Sequence, residues 1–514
     1  MISDTQIHEA LRRHWGYTSF RPRQASIVRS ILDGHDTCAV MPTGGGKSLC
    51  YQLPAALLDG KTAVVISPLI ALMHDQVAQL TKIDIPAVFL NSSLPAAERA
   101  QIMGEAAEGK YRLLYVSPER LARADTAAWL RQIPVSFFAI DEAHCISEWG
   151  HEFRPEYRHL SRLRAEFPAQ PIAAFTASAT RHVRHDIISQ LQLKSPDKYI
   201  ASFHRPNLRY IVKECRSLEQ MEMLVNTLRR HATANVIVYS PTIARVGETV
   251  EFLRQNGIES IGYHGRMDPA TRRRNQEIWM AEQVRILVGT IAFGLGINKT
   301  SVRAVIHLSL PKSIEQYYQE SGRAGRDGEA ADCILLWQKH DVGLLVHFIQ
   351  EIEDPGERER AWQRYHGMRA FVDSSVCRHR QICVHFGEHP KWASCGACDV
   401  CGCGVEWLNA APPVPNRPRR KRTMRSADVS PAQCKQAEQL DSGLRQFLRE
   451  WRLAVARKHS VPAFVVMHDS VLDGVCHRNP QTLAQLEEVR GFGSHKMKSY
   501  GPEILAAIQR YRSR

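Results

Sequence analysis

The run TAVVISPLIALMHDQVAQL, Thr62 to Leu80, decides the fold class. TAVVIS is short, unbroken in its apolar character and rich in β-branched residues, as a strand buried on both faces must be. LIALMHDQVAQL follows at once with its apolar residues at helical spacing, so the unit reads as a parallel strand with its crossover helix. The same alternation recurs upstream of residue 203 in YRLLYVS, VSFFAID and PIAAFTA, and restarts after SFHRPNLRY in NVIVYS, IESIGYHG, VRILVGT, VRAVIHLSL and DCILLW. The expectation is two α/β lobes in tandem, residues 1–203 and 204–340.

Beyond Trp337 the texture turns helical and then cysteine-rich, giving a module at 341–405. Periodicity disappears in the Pro- and Arg-rich linker 406–431, and a small helical domain closes the chain at 432–514. A chain of 514 residues is too long for one core. Its 44% apolar content excludes general disorder, and a net charge of +14 points to a polyanionic partner, most simply nucleic acid, with an ordinary basic surface as the alternative. No segment approaches the roughly 20 apolar residues of a membrane span, and MISDTQIHEALRRHW lacks a signal-peptide core. The expected protein is soluble and cytoplasmic, with no membrane partner.

Three motifs carry chemistry. In MPTGGGKS, Met41 to Ser48, the backbone of Thr43, Gly44, Gly45 and Gly46 can present N–H groups to a phosphate. Lys47 can reach the outer phosphates, and the Ser48 hydroxyl can ligate Mg²⁺. The general pattern has glycine where Met41 stands, so alone this could be a Gly-rich turn with an incidental lysine. A carboxylate pair ends the apolar run FFAIDEAH, where Asp141 suits Mg²⁺ and Glu142 suits polarising the attacking water. QESGRAGRDG places Arg323 and Arg326 on one helical face, three residues apart, as cations for transition-state charge, with surface ion pairing as the alternative.

DEAHCISEWGHEFRPEY, Asp141 to Tyr157, then raises a question, because Trp149 and Phe153 follow directly on a phosphate-handling site where loops are ordinarily polar. A flat ligand is one answer and a core role the other. Among 13 cysteines, Cys395, Cys398 and Cys401 have C-x₂-C-x₂-C spacing, and Cys377 lies upstream. This set suits a tetrahedral zinc thiolate site, with an iron–sulfur cluster as the rival and Cys383 and Cys403 as spare ligands.

Taken in order, these motifs resemble the RecQ family of DNA helicases over nearly the whole chain. The resemblance implies two RecA-like parallel-sheet lobes, a helical zinc-binding module and an all-α HRDC-like domain. It implies that WGYTSFRPRQ reads adenine, with Tyr17 stacking, Gln24 bonding the base edge and Arg21 supporting them. It also implies that Trp149, Phe153 and Arg154 belong to an aromatic-rich loop that contacts single-stranded DNA and couples it to ATP hydrolysis. ATP, Mg²⁺ and Zn²⁺ are the implied cofactors. Single-stranded and partly duplex DNA are the implied substrates, with single-strand-binding or repair proteins as further partners and the nucleoid as location in a bacterium. The activity implied is 3′ to 5′ translocation and unwinding in repair and recombination. A catalytically silent DNA-binding scaffold and an RNA helicase are the competing readings, and the HRDC-like domain could bind DNA or protein. Two departures stand out: no room for a winged helix between Cys403 and Ala432, and Arg23 where the family usually has glycine.

Overall fold

Strand and helix do alternate along the chain, and the computed structural model shows how the strands are ordered. It describes residues 2–68, 70–91, 94–150, 152–290, 299–409, 442–458, 466–467, 469–489 and 494–513. They form two units, Met1–Pro413 and Val414–Arg514.

The first sheet contains β1 (Thr37–Val40), β2 (Thr62–Ile66), β3 (Ala87–Leu90), β4 (Leu113–Val116), β5 (Val135–Ile140), β6 (Ile172–Thr176) and β7 (Asp197–Ile200), in the order β3-β4-β2-β5-β6-β1-β7. Every pairing in it is parallel. The second contains β8 (Leu208–Glu214), β9 (Asn235–Tyr239), β10 (Ile261–Tyr263), β11 (Ile286–Gly289), β12 (Val302–His307) and β13 (Ala331–Trp337), in the order β10-β11-β9-β12-β13-β8. It too is parallel throughout. The apolar runs became inner strands buried on both faces, as β2 shows residue by residue, except IESIGYHG, whose β10 lies half-buried at a sheet edge.

Four strands escaped the sequence reading: β7, β8, β3 and β1. β7 (DKYI) alternates half-buried and exposed residues at a sheet edge, and β8 (LRYIVKE) ends in charge, so neither has the continuous apolar signal. β3 is the outermost strand at the opposite edge. The segment DTCAV before the Gly-rich stretch has the look of an apolar turn in sequence, yet its last four residues are β1, inserted between β6 and β7 with its side chains buried. The cysteine-rich module covers the free edge of the second sheet. Tyr210 of β8 bridges to Cys398, and the Val212 N–H donates to Asp399 at 3.3 Å. Covering an edge removes a template for intermolecular pairing.

In the second unit, helices Ser442–Lys458, Asp469–Arg478, Leu483–Glu487 and Ser494–Arg512 bury Leu444, Leu448, Leu472, Val475, Ile504 and Ile508 together. The basic linker from residue 410, the motif GTIAFGLGIN beyond Thr290, His151 and the turn around Gly491 and Gly493 lie outside the described residues. So do the side chains of His495, Lys496 and Lys498. No helix among the described residues is long and apolar enough to cross a membrane.

The backbone at position 23 accounts for the glycine usual in the family and not for the arginine found here. Arg23 precedes the helix Gln24–Leu32 at φ 73, in the left-handed region where a Cβ is strained. Arg23→Gly is expected to stabilise the first unit by about 1 kcal/mol, the αL strain relieved less the entropy that glycine adds to the unfolded chain. A melting temperature that falls would instead assign the Arg23 side chain a stabilising contact.

Candidate active site

β1 runs directly into the Gly-rich turn, and the helix Lys47–Leu57 begins as the turn ends. Gly46 sits at φ 77, and a Cβ there would lie 2.3 Å from Nε2 of Gln24. That amide donates to the carbonyls of Gly46 at 3.1 Å and Gly45 at 3.3 Å, while Oε1 of Gln24 accepts from the Arg21 N–H at 2.9 Å. Arg21 in turn donates to the carbonyl of Gly44. The segment read as adenine-binding is therefore bonded to the phosphate turn, and the Gln24 amide is engaged there.

The cleft above this turn has a volume of about 550 Å³ and is lined from both sheets. The first lobe contributes Tyr17, Arg21, Gln24, Thr43, Gly44, Gly46, Lys47, Ser48, Asp141 and Glu142, and the second contributes Gln319, Arg323 and Arg326. Gly45 is the exception among the turn residues named above, because its N–H turns inward to the Pro42 carbonyl at 2.9 Å. Tyr17 stands 55% exposed, free to meet a planar ligand.

β5 delivers the carboxylates. Lys47 Nζ lies 3.8 Å from Oε1 of Glu142. Burial and the neighbouring Glu142 push the Asp141 carboxyl up to about 6, with Lys47 working against them. A hard divalent cation among Ser48, Asp141 and phosphate oxygens would relieve that cost, and these oxygen donors fit Mg²⁺. Glu142 itself is held at φ 47, a strained setting for a residue with a side chain. Beneath it, Nδ1 of His144 lies 3.3 Å from Oε2 of Glu142 and 2.9 Å from Oγ1 of Thr176, and Nε2 lies 3.9 Å from Oε2 of Glu152.

The expectation that Arg323 and Arg326 share a helical face is corrected. The helix Ile314–Ser321 ends before them, and both occupy the turn beyond Gly322. They still converge on the cleft: a Cβ on Gly44 would lie 3.2 Å from Cγ of Arg326, and one on Gly322 would lie 3.3 Å from Cβ of Thr43. Burial first, then Arg323 and Arg205, push the Arg326 guanidinium down to about 9, which leaves it charged at neutral pH. Cations gathered against mutual repulsion make a site that a polyanion relieves.

The aromatic loop hangs from the same strand. The Tyr157 hydroxyl donates to the Asp141 carbonyl at 2.9 Å, and the Arg154 N–H to the Cys145 carbonyl at 3.0 Å. Trp149 is 46% exposed, edge-on to His182 with centroids 4.9 Å apart, and the Arg360 guanidinium lies 5.9 Å from its ring. It is not a core residue. Phe153 is half-buried, with the Arg158 guanidinium 5.1 Å from its ring centre, and Arg154 is half-buried beside it.

Cys377, Cys395, Cys398 and Cys401 bring their sulfurs within 4.8 Å of one another. Cys383 and Cys403 stand outside this cluster. Burial raises Cys395 and Cys398, whereas hydrogen bonds from Ser394 and the Cys395 backbone overcome burial and bring Cys401 down to about 6. Four sulfurs at this separation fit a closed tetrahedral zinc site. Arg378 grips Asp399 through two 3.0 Å bonds, and Nδ1 of His379 lies 3.2 Å from Sγ of Cys395, contacts of the kind that orient metal ligands.

Family models match along the chain in order. They are described as DEAD/DEAH box helicase (residues 21–186), Helicase conserved C-terminal domain (219–328), RecQ zinc-binding (339–402) and HRDC domain (441–508). The chain is 42% identical over 391 residues to the ATP-dependent DNA helicase RecQ of Haemophilus influenzae, an alignment covering 76% of this chain and 62% of that relative. It is 38% identical over 402 residues to its counterpart in Bacillus subtilis, covering 77% and 67%. The chain belongs to the RecQ helicase family.

Within that family it spans 62% of the length of the Haemophilus influenzae relative and of the one in Pasteurella multocida. A solved structure of the Mycobacterium smegmatis helicase Lhr, bound to ssDNA and AMP-PNP, is similar with a TM-score of 0.52 at 18% identity, covering 71% of this chain and 56% of that one. The helicase MrfA bound to DNA gives 0.56 at 17% identity, covering 75% and 59%. At such identities these two structures support the fold alone: two RecA-like lobes.

The sequence reading of this RecQ chain missed Gln319, whose amide donates to Ser178 at 3.0 Å across the lobes, and the His144 and Glu152 pair behind Glu142. Gln319, His144 and Glu152 all lie in stretches already quoted. Their meeting depends on how the lobes and the loop pack, which spacing does not encode.

Proposed function

We propose that this chain is a DNA-stimulated ATP hydrolase that couples lobe closure to 3′ to 5′ movement on single-stranded DNA and to unwinding, in repair and recombination. The observation that carries this reading is Arg326 packed on Gly44, above a turn where Lys47 faces Glu142. Residues from both lobes then meet one nucleotide. Tyr17 stacks on its base, Arg21 and Gln24 hold the base-side segment, and the phosphates lie against the turn Thr43 to Ser48. Mg²⁺ held by Ser48 and Asp141 would neutralise phosphate charge. Glu142 orients the attacking water, and Arg323 and Arg326 stabilise charge only when the lobes close.

DNA as substrate is supported by the names of the relatives and by the net charge of +14. One observation favours RNA: a mimivirus relative, 37% identical, is named a putative ATP-dependent RNA helicase. The scaffold reading expects a missing catalytic group, and all of the groups named stand at the cleft. Single-strand-binding or repair proteins are the further partners proposed.

Trp149 supplies the test. Its exposed ring suits base stacking, and its loop reaches Glu142 through Glu152 and His144. Trp149→Ala is expected to keep basal hydrolysis, lose stimulation by single-stranded DNA and lose unwinding, with DNA affinity weakened by about 1 to 3 kcal/mol, so stimulation is measured at saturating oligonucleotide. Full stimulation in a folded variant refutes the coupling. Stronger stimulation of the wild type by RNA than by DNA would favour the RNA reading.

A further inference from the structure

The turn carrying Arg323 and Arg326 is held from outside the lobe core. Once the helix Ile314–Ser321 ends, the carbonyls beyond it have no intrahelical donor, and the helix dipole leaves this end negative. Arg205 meets them. Its Nη1 donates to the Gly322 carbonyl at 2.8 Å, and its Nη2 to those of Gly325 at 2.7 Å and Ala324 at 3.0 Å. Asn207, two residues on, donates to the Gly325 and Glu329 carbonyls at 2.9 Å each. Gly325 sits at φ +54, and a Cβ there would lie 2.5 Å from Nδ2 of Asn207.

Arg205 is itself fixed. It lies on the segment joining the two sheets, and its carbonyl accepts from Nε2 of His379 at 3.1 Å. On the same segment the Ser202 hydroxyl and Phe203 N–H donate to Glu388 at 2.6 and 2.8 Å. A third cation beside Arg323 and Arg326 is electrostatically costly, and it contributes to depressing Arg326. Three carbonyl acceptors on a helix C-terminus offset that cost, and a planar guanidinium reaches all of them from one rigid fork.

We infer that Arg205 is a positioning residue: it clamps the turn so that Arg323 and Arg326 are presented to the phosphate turn at a fixed reach. This rests on the ATP-hydrolase reading above. Arg205 does not line the cleft, so its loss should leave nucleotide binding by the first lobe intact.

The test compares the full chain with Arg205→Ala, Arg205→Lys, Arg326→Ala and the Arg205→Ala/Arg326→Ala double variant, measuring ATP hydrolysis with saturating oligo-dT and affinity for a fluorescent ADP. Arg205→Ala is expected to lower kcat by about 30-fold or more while ADP affinity stays within about threefold. Arg205→Lys, a point charge on a flexible stem, should recover only a minor part. The double variant should be slower than Arg326→Ala by much less than the factor that Arg205→Ala costs alone, because both losses act on one element and only the Arg323 share remains to be lost. A kcat above one third of wild type in Arg205→Ala, or a double variant slower by the product of the single losses, overturns the inference. Amide hydrogen exchange gives a readout that does not need turnover: residues 322–329 should exchange faster in Arg205→Ala, or in Arg205→Lys if the alanine variant does not fold, with the first sheet unchanged. Unchanged exchange in that turn also overturns it. A wild type without DNA-stimulated hydrolysis but with faster exchange in the variant turn would defeat the functional reading and leave the clamp standing.

Discussion

Lys47→Ala is expected to abolish ATP turnover, by a factor of about 10³ or more, while DNA affinity stays within about threefold of wild type. Lys47 begins the helix that follows the phosphate turn, and its ammonium lies 3.8 Å from the Glu142 carboxylate. Without it, buried Asp141 and half-buried Glu142 lose one of the charges that oppose their mutual repulsion, and the outer phosphates lose their cation. Nucleotide affinity should therefore fall together with turnover. DNA is expected to meet Trp149 and its loop, which line no part of this cleft except through Glu152, so the two losses should separate. Hydrolysis assays paired with fluorescence anisotropy of a labelled oligonucleotide measure both. Loss of DNA affinity on the scale of the lost turnover would contradict the separation.

Cys395→Ser should have the second large effect, lowering zinc content and soluble yield together. Structural zinc contributes on the order of 10 kcal/mol or more to folding of the module that binds it. Here the consequences spread. The metal-binding segment covers the β8 edge through Tyr210 and Val212, and His379 joins Cys395 to the carbonyl of Arg205. An uncovered parallel edge invites aggregation, so the variant is expected to be poorly soluble as well as metal-poor. Elemental analysis and thermal unfolding of the purified chain check this. A soluble variant with unchanged stability and metal stoichiometry would refute a structural site, and iron in place of zinc in the wild type would overturn the choice of metal.

Features written in contiguous residues were legible without a structure. TAVVIS, VSFFAID and NVIVYS announce parallel strands because a strand buried on both faces is apolar along nearly its whole length. MPTGGGKS and DEAH bring their functional groups within one turn of chain, and C-x₂-C-x₂-C brings its sulfurs within one knuckle, so spacing narrows what they can bind. The resemblance to the RecQ family then followed from the order of such stretches.

What sequence alone could not decide depends on contacts between residues far apart in the chain. β3, β7 and β8 lie at sheet edges, where burial is partial and the apolar signal fades, and the strand order follows from crossover packing. Arg323 and Arg326 have helical spacing but lie in a turn, because the helix stops at Ser321 and Gly325 adopts a positive φ. Their reach to Gly44 and the grip of Arg205 on three carbonyls exist only once distant parts of the chain pack together, and the link from Glu152 through His144 to Glu142 exists only once its loop folds back on the strand end. Short-range patterning determined the two lobes and the composition of the phosphate turn, acidic pair and cysteine knuckle. Tertiary packing alone decided which side chains meet, because a hydrogen bond or ion pair needs angstrom-scale placement that residues more than a hundred positions apart acquire only in the folded chain.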